Sequence, residues 1–297
     1  MGIKKKVAVG ASSFAVESST ALTLLEEHGF EVVLNPFGRK LSVQETIVHL
    51  AGTVGLLAGL EELNEKVFAA SPELKAIARI GIGMDNVDLE AAERFGIKVS
   101  NTPDGPTYAV AEMTLAALLC IARRIVPTNS ELHDKVWKKR MGFSLRGKNI
   151  LLIGYGRIAK EFERLLEPFG ANVLINDPLY DESCPLDELL PIADVISLHA
   201  SCRTKIFGEE QFAAVKQGAV LLNSARGMLL DEKALVEALK SGALSWYWGD
   251  VFSEEPYDGE LCALENAILT PHVSTYTGLC REQMEKQAAQ NLLSDLK

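Results

Sequence analysis

Three side chains of complementary chemistry each follow directly on a short apolar run. Arg226 lies in Leu222-Asn-Ser-Ala-Arg-Gly-Met228, Glu255 in Asp250-Val-Phe-Ser-Glu-Glu-Pro256, and His272 in Leu269-Thr-Pro-His-Val273. Arginine presents a planar fork that pairs with a carboxylate through two parallel hydrogen bonds. Histidine is the side chain that exchanges a proton near neutral pH, and a carboxylate beside it orients the ring and favours its charged form. Taken singly, each residue has a plainer reading as a loop cation, a solvated acid or a turn histidine. Taken together they answer one demand: hold a substrate carboxylate, move a proton on a neighbouring oxygen, and tune the group that moves it. A redox step at a carbon bearing that oxygen has this requirement when a nicotinamide carries the hydride.

A nicotinamide needs a place to bind, and one stretch supplies the parts in order. Ile150-Leu-Leu-Ile153 is short and apolar enough for a buried parallel strand. It breaks into Gly154-Tyr155-Gly156-Arg157-Ile158-Ala159, a G-x-G-x-x-A turn opening a helix with Ile158, Phe162, Leu165 and Leu166 on one face. Gly154 permits the turn, Gly156 lets backbone approach a pyrophosphate, and Ala159 keeps helix and strand close. The free N–H groups of the helix start, over Tyr155 to Ile158, would receive the phosphates. A second strand, Asn172 to Asn176, ends in Asp177, 18 residues past Ala159, where a carboxylate would accept from the ribose hydroxyls. Pro178-Leu-Tyr-Asp181 then brings no Arg or Lys for a 2′-phosphate, which favours NAD over NADP.

Composition narrows the class. With 297 residues, 47% of them hydrophobic, two moderate cores are the better expectation. The net charge of −10 argues against a general nucleic-acid or membrane-surface binder, because phosphate affinity needs clustered cations. Cys120, Cys184, Cys202, Cys262 and Cys280 form no C-x-x-C pair and no metal-ligand spacing, so no metal site is expected and a reducing cytoplasm fits best. Near the N-terminus, Val7-Ala-Val-Gly10 is too short for a signal-peptide core and reads as a first strand.

Around the loop, short apolar runs alternate with helical patterns. Strands are expected at Lys6 to Gly10, Glu31 to Leu34, Val54 to Leu57, Ala76 to Ile80 and Lys98 to Ser100, with helices near 15–28, 42–51, 61–70 and 88–95. A long apolar helix is expected from Thr107 to Arg124. Beyond Asp177 the alternation resumes, with strands Asp194 to Leu198, Ala219 to Leu222, Trp246 to Val251 and Ala267 to Leu269, helices near 186–190, 208–216 and 231–241, and a last helix from Tyr276 to Leu296. The βα rhythm means an α/β fold of two doubly wound parallel sheets covered by helices. The expected division is residues 1–101 plus 271–297 as a substrate domain and 102–270 as a Rossmann NAD-binding domain inserted into it. Such a chain crosses twice between domains and leaves a cleft there.

These motifs jointly resemble the D-isomer-specific 2-hydroxyacid dehydrogenase family, particularly its phosphoglycerate dehydrogenase-like branch. The resemblance rests on Val54-Gly-Leu-Leu-Ala-Gly-Leu-Glu61, Arg79-Ile-Gly-Ile-Gly-Met-Asp-Asn-Val-Asp88, Val110-Ala-Glu112, the Gly154 loop with Asp177, Ala225-Arg226-Gly227, Asp250 to Pro256 and Thr270-Pro-His272. It implies a flavodoxin-like substrate domain, catalytic roles for Arg226, Glu255 and His272, and carboxylate-binding amides at Ile82 and Gly83. It also implies cofactor contacts at Thr107, Ala225 and Asp250 and a homodimer assembled partly through the long helix; the acidic charge balance leaves no membrane or nucleic-acid partner expected. Where relatives that use phosphoglycerate commonly carry an Arg-Ser pair after the third strand, this chain has Ala58-Gly59, while Arg79, Asn101 and Lys138-Lys139-Arg140 match positions resembling the phosphoglycerate site. The His-x-Pro loop of the family appears as His199-Ala-Ser-Cys202, about three residues shorter, and Pro106 replaces a common Asn. The expected activity is NAD-dependent, reversible conversion of a 2-oxo acid to a 2-hydroxy acid; the competing expectation is a non-catalytic NAD-sensing or scaffold protein on the same fold.

Overall fold

A computed structural model describes residues 4–297. In chain order the elements are β1 (Lys6–Val9), α1 (Thr20–Glu27), β2 (Glu31–Val33), α2 (Val43–His49), β3 (Thr53–Ala58), α3 (Glu65–Ala69), β4 (Ala76–Arg79), α4 (Leu89–Arg94) and β5 (Lys98–Asn101). They continue with α5 (Pro106–Ala122), α6 (Ile125–His133), β6 (Asn149–Ile153), α7 (Arg157–Leu166), β7 (Asn172–Asn176), α8 (Leu186–Leu189) and β8 (Val195–Leu198). The remainder is α9 (Glu209–Ala214), β9 (Ala219–Asn223), α10 (Glu232–Ser241), β10 (Leu244–Gly249), β11 (Ala267–Leu269) and α11 (Gly278–Asp295).

The chain divides into two compact units, one running up to Pro106 and completed by Thr275–Lys297, the other Thr107–Ser274. In the first unit, five parallel strands are ordered β2-β1-β3-β4-β5. Val7, Ala8, Leu56, Leu57, Ile77 and Ala78 are fully buried in it, as the apolar runs of a parallel sheet covered on both faces require. In the second unit, six parallel strands are ordered β11-β10-β9-β8-β6-β7. The chain order reverses between β6 and β8, the position at which open α/β sheets leave room for a ligand at the strands' carboxyl ends. One core of this unit lies under α5 and α7, around Leu118, Ile150, Leu152, Phe162 and Trp248; another lies around Leu151, Phe207, Leu221 and Tyr247.

Some expected helices are shorter, and one helix was not expected. The first helix starts at Thr20 rather than near residue 15, because Ala15 has φ 59° and cannot continue a helical turn. The helix expected at 61–70 is only α3: Asn64 is extended and accepts from the Lys66 and Val67 amides, which starts the helix there. α6 has no counterpart in the expected pattern: it is short and none of its residues is buried. Arg124, at φ 56°, breaks α5 from α6.

α11 closes the first unit by packing on α1 and on β3, β4 and β5. Within it, Arg281 and Glu285 form a buried pair at 2.9 Å, and Glu285 also accepts from the Ala15 amide at 3.0 Å. Arg281 lies over the Tyr276 ring, 5.4 Å from its centroid. Burial pushes the Glu285 carboxyl above the ordinary carboxylate range, against the opposing pull of the Ala15 amide and Arg281. An acid whose folded-state pKa is raised gives its stabilising contribution at low pH and loses it as pH rises through that value. Arg281→Met should therefore destabilise the protein by about 3–5 kcal/mol at pH 8 and by less at pH 5, where Glu285 can take up a proton; the Arg281→Met, Glu285→Met double variant should recover much of the loss. Urea unfolding midpoints at both pH values check this, and an equal loss at the two would contradict it.

Candidate active site

The dinucleotide loop is built by close approach. Gly154, directly after β6, has φ 86°, and a Cβ there would lie 2.6 Å from the Ala200 nitrogen and 2.8 Å from the His199 carbonyl carbon. Gly156 is the reverse case: nothing lies within 4 Å of where its Cβ would be. It is the N-cap of α7 and offers no side-chain cap, so the helix start opens onto a bare glycine flank. Ala159 and Phe162 are fully buried beneath, and Ile158 packs against the same core. An open glycine flank and uncapped amides at a helix start fit the pyrophosphate of NAD. Asp177 braces the turn, accepting from Tyr155 N at 2.6 Å and Leu179 N at 2.7 Å. The Tyr155 ring packs on Tyr180, with centroids 4.7 Å apart, and Lys160 lies 5.3 Å from its centroid. Its hydroxyl donates to Glu163, which with burial holds the phenol up at about 12. Arg157 is exposed at the first position of α7.

Arg226, Glu255 and His272 stand on three consecutive strand ends of the same unit. After β9, buried Asn223 accepts from Ala225 N and donates to Arg226 O, both at 3.0 Å, so one amide side chain brackets the turn. Arg226 Nη1 donates to Ala225 O at 2.7 Å. Ser224 Oγ lies 3.3 Å from Thr114 Oγ1, tying this turn to α5, the helix that also carries Thr107. Gly227 cannot be larger, because a Cβ there would lie 2.1 Å from the Phe252 carbonyl carbon and 2.2 Å from Ser253 N. That contact seats the Arg226 turn on the loop bearing Glu255. Within this loop Phe252 N donates to Glu255 Oε1 at 3.1 Å, and Glu255 Oε2 lies 2.9 Å from His272 Nδ1. With Nδ1 turned to the carboxylate, Nε2 is the ring atom left for proton exchange.

His272 is held by an acid that sequence reading placed among the cofactor contacts. Asp250 is buried, and its oxygens accept from Thr270 Oγ1 at 2.6 Å, Val273 N at 3.0 Å and Ser274 N at 2.9 Å. Trp248 Nε1 donates to the same Thr270 hydroxyl at 3.2 Å, and His272 N to Thr270 O at 2.9 Å. This clamp keeps His272 at φ 54°, a region that costs a non-glycine residue about 1–3 kcal/mol unless its surroundings impose it. Gly227 and Thr270 entered the sequence reading only as members of motifs, and Asn223 was not singled out. An asparagine closing an apolar strand shortly before the arginine was the available signal.

The positions expected to bind substrate lie in the first unit. Gly81 has φ 141°, and a Cβ there would lie 1.2 Å from Arg79 Nη1, so the guanidinium lies across this glycine; Nη1 donates to Ile80 O at 2.7 Å. Asn101 Nδ2 donates to Ile82 O at 2.8 Å and props the half-buried Ile82-Gly83 segment. Ala58 is fully buried, and the Gly59 N–H donates to Glu61 while its carbonyl accepts from Asn86 Nδ2, so both shape the strand end from within and leave the polar contacts to their neighbours. In the second unit Arg140 and Lys138 pair with Glu131, at 2.7 and 3.9 Å. His199 is held by Ser197 Oγ at 2.9 Å, and burial lowers its imidazole to about 4.

Two glycine variants separate the loop from the chemistry. Gly154→Ala should weaken NADH binding, read by fluorescence titration, because it meets both a left-handed φ and backbone contacts. Gly227→Ala should leave NADH affinity near wild type yet lower kcat by about 10²-fold through displacement of Arg226 and Glu255. The same effect on both quantities in both variants would contradict the assignment.

The family described as D-isomer specific 2-hydroxyacid dehydrogenase, NAD binding domain, matches residues 115–274. A glyoxylate reductase of Thermococcus onnurineus is 34% identical, covering 92% of this chain and 88% of that protein. The human D-3-phosphoglycerate dehydrogenase is 36% identical over 86% of this chain, which spans half of that protein's length. Among solved structures, the TT0316 protein of Thermus thermophilus superposes with a TM-score of 0.89 at 37% identity, over 98% of this chain and 96% of that one. The chain therefore belongs to the D-isomer specific 2-hydroxyacid dehydrogenase family.

Proposed function

We propose that this NAD-dependent oxidoreductase interconverts a short 2-oxo acid and its D-2-hydroxy acid, with Arg226, Glu255 and His272 as its catalytic residues. The observation that carries the reading is the 2.9 Å pairing of His272 Nδ1 with Glu255, set on strand ends beside a turn bearing Arg226. Hydride transfer at substrate C2 is the chemistry that bound NAD(H) would supply. His272 Nε2 donates a proton to the 2-oxygen in reduction and removes it in oxidation, while Glu255 orients the ring and balances the imidazolium. Arg226 grips the carboxylate and polarises the 2-oxygen.

The cofactor would be held by Gly154, Tyr155, Gly156, Arg157, Ile158 and Asp177, with Thr107 and Ala225 as further contacts and Asp250 positioning His272. The substrate-binding part is assigned to the first unit, through Arg79, the Ile82 and Gly83 amides and Asn101. The similarity to a glyoxylate reductase over 88% of that protein's length supports a small 2-oxo acid. A homodimer is supported by apolar side chains exposed along one segment: Ile125, Val126, Leu132, Val136, Trp137 at 83% and Met141 at 91%. The five free thiols suit a cytoplasmic location, and no helix among the described residues is long and apolar enough to cross a membrane.

His272→Ala should lower kcat by about 10²–10⁴-fold while NADH still binds. NADH oxidation with glyoxylate, hydroxypyruvate and pyruvate measures it, and unchanged turnover would overturn the assignment. Cofactor binding by the wild type with no turnover on any of these acids would instead support a sensing role.

A further inference from the structure

The substrate positions of the first unit adjoin a carboxyl group that this chemistry does not use. Glu61 is wholly buried, with both oxygens accepting from the Gly59 amide at 3.1 and 3.0 Å. A Cβ on Gly10, just past β1, would lie 1.9 Å from Glu61 Oε1. One on Gly59, just past β3, would lie 3.0 Å from Oε2 and 2.9 Å from Ala11 Cα. Both strand ends are thus glycine where the carboxyl group fills the space between them. Asn86 Nδ2 locks this turn by donating to Glu61 O at 2.7 Å and Gly59 O at 3.3 Å. Arg79 and Lys40 are the cations whose fields reach the carboxyl group, and Arg79 is the residue lying across Gly81 immediately before Ile82-Gly83. Burial pushes the carboxyl group above its ordinary range, with the amides and both cations pulling the other way.

A carboxyl group enclosed at strand ends, on an amide and within reach of two cations, occupies a cradle suited to an anion. Fold stability does not account for it, since burying a carboxyl group usually costs more than its partners return. We propose that Glu61 is a specificity-determining residue, filling with the protein's own carboxyl group the cradle beside Arg79 that a second anionic group of the substrate would need. The enzyme therefore takes short 2-oxo acids with an uncharged tail and rejects those with a distal phosphate. Three effects act together: the Gly59 amide is already engaged, the space between Gly10 and Gly59 is filled, and the field of Arg79 is offset by a neighbouring acid. This inference rests on the assignment of Arg79, Ile82 and Gly83 to substrate binding.

Steady-state reduction of glyoxylate, hydroxypyruvate and phosphohydroxypyruvate by NADH tests it in wild type, Glu61→Gln and Glu61→Asp, each checked for folding by its thermal transition. The wild type should prefer hydroxypyruvate over its phosphorylated form by about 10²-fold or more in kcat/KM, since the cradle is already filled and its amide engaged. Glu61→Gln removes the charge and Glu61→Asp withdraws the group from the cradle. Either should raise kcat/KM for phosphohydroxypyruvate about tenfold, a gain that a purely structural residue would not give. Wild-type enzyme using the phosphorylated acid as well as hydroxypyruvate overturns the inference even if neither variant folds. A folded Glu61→Gln with an unchanged preference overturns it too. No turnover on any of the three acids would instead defeat the proposed function itself.

Discussion

The buried carboxylate of Asp250 is the interaction on which the pairing of His272 with Glu255 depends. It sits at the end of β10 and gathers the Thr270 hydroxyl and the Val273 and Ser274 amides from the chain leaving β11. Charge-assisted bonds in a dry site are the strong kind, and three on one carboxylate compensate its desolvation. Their effect is to hold His272 in a left-handed conformation that its own backbone disfavours. Without them the ring has no reason to meet Glu255, which is fixed from the other side by the Phe252 amide.

The neighbouring turns are joined to this clamp by clearance more than by attraction. Gly227 lets the Arg226 turn lie against the Phe252-Ser253 backbone, and Gly154 lets the nucleotide loop lie against His199-Ala200. Each glycine is a place where two strand-end loops would otherwise be pushed apart. Side chains in a parallel sheet are committed to its two faces, so loop-to-loop backbone contact is what remains to fix functional groups at its edge. The same device recurs at Gly10 and Gly59 in the first unit, where the neighbour is the carboxyl group of Glu61.

Much of this was legible in the residues. The apolar runs and helical spacings give two parallel-sheet units, and Gly154 to Asp177 appears as strand, turn, helix, strand and acid, because local periodicity and turn chemistry decide those elements. Arg226, Glu255 and His272 stood out as chemical types, and the structure pairs two of them directly. Less visible were α6, none of whose residues is buried, and the late start of α1, set by the conformation of Ala15. The part played by Asp250 was hidden for a different reason. Its partners lie 20 to 24 residues away, and only the adjacency of β10 and β11 brings them to it. Glu61 was hidden likewise: in sequence it is the first residue of a helical pattern, and in the fold it is a buried acid between two strand ends.

The central claim is that this family member passes a hydride to C2 of a 2-oxo acid while His272 protonates the 2-oxygen. The measurement that tests it most directly is reduction of pyruvate or hydroxypyruvate with NADH carrying deuterium in the transferable C4 position. The product should carry deuterium at C2 and be the D-enantiomer. Product with no deuterium at C2, or of the L configuration, would contradict the account.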